Sequence, residues 1–70
     1  MRIGDFKDKH IFAVMAGNES LTPDEREFLV TDTPGFEESN HSEAEYRAMS
    51  DRDLMRAVYW TWSDYAKGQV

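Results

Sequence analysis

The sequence predicts an all-α fold, a compact bundle of three to four short helices packed on a C-terminal amphipathic helix, and three observations carry that expectation. The first is periodicity along Ser50 to Lys67, SDRDLMRAVYWTWSDYAK, which holds both tryptophans and two of the three tyrosines. At about 100° per residue, Leu54, Met55, Val58, Tyr59, Trp62, Tyr65 and Ala66 fall within one arc of about 140°, the width of a core-facing stripe. The second is a pair of helix-start signatures, Thr22-Pro23-Asp24-Glu25 and Ser42-Glu43-Ala44-Glu45. In each, a hydroxyl residue stands three positions before a glutamate that can return a bond to it. The third is the poverty of strand signals. Only residues 10–16 and 27–31 read as strands, and a lone two-stranded hairpin made from them, the α+β alternative, is marginal in water.

Taken in order, residues 1–17 offer Asp5 as N-cap and Gly17 as the residue beyond the C-cap, for a helix from about Phe6 to Ala16. Ala13, Met15 and Ala16 are poor strand formers, which favours helix over strand there. Thr22 then caps a helix from Pro23 to about Val30, with proline at its first position and acids facing the positive end of the helix dipole. Leu21 leads into it, and Phe28 and Leu29 are its core residues. Thr33-Pro34-Gly35-Phe36 has the proline and glycine placement of a type II turn, within a loop expected from Asp32 to Asn40. Ser42 starts a short helix through Met49. One straight helix from residue 43 to 67 would put Tyr46 and Met49 near Trp60, off the main stripe, so a break is expected at Ser50, a third cap-like residue. The last helix should end at Gly68.

Composition bounds the function. Seventy residues make a single small domain, 1–70, and at this size folding buries only about 60% of the unfolded chain's surface, so nearly every large apolar side chain is needed in the core. The chain has no cysteine, hence no disulfide and no thiolate metal site, which fits a reducing compartment; the expectation is cytoplasmic. Its longest apolar run, Ile11 to Ala16, is six residues, far below the roughly 20 of a membrane span, and no signal-peptide pattern opens the chain. The net charge of −6 is unevenly placed. Residues 17–46 carry Glu19, Asp24, Glu25, Glu27, Asp32, Glu37, Glu38, Glu43 and Glu45 against Arg26 alone, while each flank is slightly positive. That field repels nucleic acid and anionic membrane and attracts a basic protein surface. On a small protein, solubility alone is the simpler use of such charge.

Chemistry finds little purchase. The run Phe28 to Gly35, FLVTDTPG, resembles the metal and γ-phosphate motif of GTPases, which would imply an aspartate holding magnesium through water. It covers about eight residues, without a GxxxxGK[ST] loop or an NKxD motif, so the string reads as a turn. His41, in ESNHSEAE, lacks a second imidazole at ligand spacing and reads as a loop residue; His10 reads as a helix-face residue. The adjacent carboxylates Asp24/Glu25 and Glu37/Glu38 lack apolar neighbours that would raise a pKa, and no serine sits in a GxSxG elbow. The expectation is therefore no enzyme, no catalytic residue, no cofactor and no metal. A helix-turn-helix reading of Phe6 to Val30 would offer DNA a helix bearing Asp24, Glu25 and Glu27, which phosphates repel.

Trp60 breaks the pattern. It lies opposite the apolar stripe, among Asp53, Arg56, Asp64 and Lys67, and an indole there must be covered, either by the chain itself (Ile3, Phe6 or Phe12, or Tyr46 and Met49) or by a partner. These observations predict a small acidic non-catalytic protein-binding module, with Trp60, Arg56, Asp53, Asp64, Glu37, Glu38, Glu43 and Glu45 as partner-binding residues. The expected partner is a larger protein with a basic, nucleic-acid-binding surface, the strategy of nucleic-acid-mimicking inhibitors encoded by phages and mobile elements. Neither nucleic acid nor membrane is expected to bind directly. The competing readings are a homodimeric regulatory or structural subunit joined through the Trp60 face and, more remotely, a DNA-binding regulator.

Overall fold

Both capping boxes form, and each starts a helix. Thr22 Oγ1 accepts the Glu25 N–H at 3.1 Å while the Glu25 carboxylate accepts the Thr22 N–H at 2.8 Å. Ser42 and Glu45 repeat the exchange at 3.2 and 2.7 Å. In the computed structural model, which describes residues 1–67 (Lys67 by its backbone alone), the chain runs through α1 (Asp8–Met15), α2 (Pro23–Asp32), α3 (Glu43–Ala48) and α4 (Asp51–Thr61). The fold is an all-α bundle, and residues 10–16 and 27–31 are not a hairpin. Among the described residues there is no strand, because the caps and the i to i−4 ladder satisfy the backbone locally. None of these helices is long and apolar enough to cross a membrane.

The boundaries differ from expectation in three places, each for a local reason. α1 starts at Asp8 rather than Phe6, because Phe6 is buried in an extended conformation with its carbonyl accepting the Trp62 indole N–H at 3.3 Å. Asp5 serves an earlier 3₁₀ turn, Ile3–Asp5, by accepting the Arg2 N–H. Gly17 does close α1, at φ 84°, the left-handed conformation that glycine adopts without a Cβ penalty. The type II turn at Thr33–Phe36 does not form. α2 runs on to Asp32, and Thr33, buried and helical at φ −62°, hands Pro34 on into a 3₁₀ turn, Thr33–Gly35, with no positive φ at Gly35. That shortens the expected 32–40 loop.

The third difference lies at the C-terminal end of α4. Ser50 caps this helix through the Asp53 N–H, and the break between α3 and α4 falls where the charged and apolar faces require it, at an extended Met49. Leu54, Met55, Val58 and Trp62 are buried as their phase predicts, against Ile11 and Val14 of α1 and Leu29 and Val30 of α2. At Thr61 the ladder shifts. The Thr61 hydroxyl donates to the Val58 carbonyl at 2.7 Å, and the Trp62 N–H bonds Tyr59 instead. Such hydroxyl back-bonding perturbs a helix, and Trp62–Lys67 continue as a π-helical turn. A π turn rotates less per residue, so Tyr65 leaves the core stripe and is 42% exposed. The predicted end at Gly68 lies outside the described residues.

Arg26 joins three helices. Its guanidinium donates to Asp51 Oδ1 at 2.7 Å and to the carbonyls of Arg47, at 2.8 Å, and Met49. Asp51 Oδ2 in turn accepts the Leu21 N–H at 3.0 Å. The short α3 thus has its terminal carbonyls satisfied from α2 rather than by its own next turn.

A candidate aromatic and acidic docking face

Trp60 is covered in part by rings that the periodicity did not nominate. Phe36, just beyond the Thr33–Gly35 turn, meets the indole edge-to-face at 5.7 Å and 83°. Tyr65, brought round by the π turn, lies 4.9 Å from Phe36 and 6.3 Å from Trp60. Edge and offset contacts at such separations are the favourable ones for aromatic quadrupoles. Trp60 remains half-buried and Tyr65 exposed, so the trio is a surface with one side packed.

Acids converge on the same rings. Glu38 Oε1 accepts the Tyr65 hydroxyl hydrogen at 2.8 Å. That bond, followed by burial and the nearby charges of Glu38, Asp64 and Glu37, raises the Tyr65 pKa and holds its proton in place. Glu37, Glu38 and Asp64 are all exposed. Of the eight residues nominated from sequence, the structure therefore gathers Trp60, Asp64, Glu37 and Glu38 around Phe36 and Tyr65. Arg56 and Asp53 lie exposed one and two turns back along the Trp60 face of α4, with the Asp53 N–H on the Ser50 cap.

Glu43 and Glu45 have work inside the bundle. Arg47 reaches both Glu27 oxygens, at 2.8 and 3.2 Å, and Glu43 at 2.8 Å, which joins α2 to α3 and lowers the Glu27 pKa. The Glu45 carboxyl is held below its ordinary range chiefly by the Ser42 N–H, against a smaller effect of burial.

His10 is more than a helix-face residue. Its Nδ1 lies 2.7 Å from Glu19 and its Nε2 3.0 Å from Glu25, so both ring nitrogens face carboxylates. A neutral imidazole has one N–H and would aim a lone pair at one of them; the imidazolium donates to both. The Glu19 hydrogen bond, opposed by burial and aided by Glu25, accordingly raises the His10 pKa. For Glu25 burial acts upward, but the bonds from Thr22 and His10 together prevail and lower its pKa. A raised histidine pKa stabilises the fold fully below the unfolded value near 6.5, and the contribution fades as pH rises through the folded value. The lowered Glu25 pKa does the converse, its contribution present above the unfolded carboxyl value and lost as pH falls through the folded one. Stability should therefore decline as pH rises from 6 toward 9. In His10→Gln that slope should vanish in urea melts across the same range, and a slope unchanged by the substitution would refute the assignment.

Among the described residues no group of three His, Asp or Glu side chains is placed to hold a metal ion, and no pocket opens, so the aromatic and acidic residues form a surface rather than a cleft. Sequence reasoning missed Phe36 and Tyr65 as its members. The available signal was Phe36-Glu37-Glu38 itself, an aromatic beside paired acids in a loop. Comparison with protein families, curated proteins and solved structures finds no match to this chain.

Proposed function

We propose that this protein is a small acidic, non-catalytic protein-binding module that docks on the basic surface of a larger protein, and that the face built from Trp60, Phe36 and Tyr65 with Glu37, Glu38 and Asp64 makes the contact. The observation that supports this reading is the convergence itself. Aromatic residues that offer large area at low entropic cost lie within a rim of like charge, the composition of an interface hot spot with an electrostatic guide. Occupying a nucleic-acid-binding surface, and so inhibiting its owner, is the form of this function that the negative field fits best. Arg56 and Asp53 would extend the contact along α4.

The test uses a partner captured from the native host. Trp60→Ala should weaken binding by about 2 kcal/mol or more, the range of a hot-spot tryptophan, while leaving a cooperative melt. Reversing Glu37 and Glu38 should slow association and flatten its salt dependence, whereas the same change at Glu43 and Glu45 should lower the melting temperature. On-rates indifferent to Glu37 and Glu38 would return these acids to solubility. A protein that sizes as a dimer, and becomes monomeric in Trp60→Ala, would establish the homodimer in place of this reading.

A further inference from the structure

We infer that the face around Trp60 selects arginine over lysine, so that the partner's basic surface engages it through a guanidinium stacked on one ring of the aromatic trio. The inference rests on the protein-binding reading above and names the side chain that reading leaves open. Three aromatic rings are mutually packed at 4.9 to 6.3 Å, and no described lysine or arginine is stacked on them. Around them are three carboxylates that are not equivalent. Glu38 is engaged by the Tyr65 hydroxyl, which fixes the phenol ring beside Phe36 and Trp60. Glu37 and Asp64, both exposed and near enough to act on Tyr65 by charge, have no such bond among the described residues.

A cation arriving here meets the exposed Tyr65 ring and the half-buried Trp60 indole, set at 68° to each other, with carboxylates nearby. Guanidinium is matched to both: it is planar, weakly hydrated, stacks on indole and phenol rings, and its fork pairs two-to-two with a carboxylate. Ammonium is compact and strongly hydrated, and gives up its water to a ring face at greater cost. Lysine would therefore feel the same charges with little benefit from the rings.

The experiment compares a pair of short capped peptides, glycine alternating with arginine in one and with lysine in the other, titrated into the intact protein at low salt with the Trp60 indole N–H followed by NMR. The expected result is that the arginine peptide binds about fivefold more tightly and shifts the Trp60 signal, a ratio typical of exposed cation–π stacking. Trp60→Ala should remove the preference, and Glu37→Gln with Asp64→Asn should weaken both peptides while the circular dichroism stays that of the parent. Equal binding of the two peptides overturns arginine selection and leaves the acidic docking reading standing. A preference that survives Trp60→Ala overturns it too, by placing recognition elsewhere. Binding of neither peptide overturns both.

Discussion

Trp62→Ala should abolish the cooperative unfolding transition at room temperature. The side chain is 2% exposed, its indole N–H donates to the Phe6 carbonyl, and its ring contacts Phe12 at 6.2 Å and Tyr59 at 5.6 Å. Emptying such a site costs about 3–5 kcal/mol, and the buried Phe6 carbonyl loses its partner as well. At about 0.05–0.15 kcal/mol per residue, a chain this short has only roughly 4–10 kcal/mol in total. Trp62→Phe weights the hydrogen bond over the packing: it keeps most of the volume, loses the N–H with part of the ring, and should cost about 1–2 kcal/mol. A thermal melt of the alanine variant within a few degrees of the parent would show that α4 does not organise the core.

Arg26→Met should cost about 2–3 kcal/mol, a large effect for a residue that is not apolar. The substitution keeps the stem but withdraws the donors to Asp51, Arg47 and Met49, so the last turn of α3 loses the bonds that close it. Lysine should restore little, since one ammonium cannot address three acceptors arranged for a fork. The measurement is the urea midpoint at constant m-value, with Asp51→Asn in a double-mutant cycle. Arg26 and Asp51 should couple by about 1 kcal/mol, and additive single effects would reduce the bridge to a coincidence of proximity.

How much of this was legible in the sequence follows the range of the interaction. Thr22, Ser42 and Ser50 were readable as caps because a hydroxyl and an amide three residues on are near each other in any helix start. The stripe from Leu54 to Trp62 was readable because its period is that of the α-helix. Tyr65 was not, because one turn later that period changes, through a hydroxyl bond from Thr61 that hydrophobicity does not register. Gly35 looked like a type II turn, yet α2 arrives at Thr33 already helical and the turn continues it. The candidate face was half legible. Trp60 stood out against its own helix, but its cover, Phe36, comes from a turn whose position depends on where α2 ends. The pairing of His10 with Glu19 and Glu25 depends on how the chain reverses at Gly17, which composition does not specify.

The π turn at Trp62–Lys67 divides the last helix into two segments answerable to different masters. Up to Thr61 the register is set by the core; beyond it, by the surface that Tyr65 shares with Phe36 and Trp60. A wide turn amounts to an α-helix holding a residue more than its pitch allows. Deleting one residue after Trp62 would therefore leave the interior phase intact and rotate everything that follows, so the chemistry displayed beside Trp60 can be exchanged by a change of length alone, with no substitution in the core.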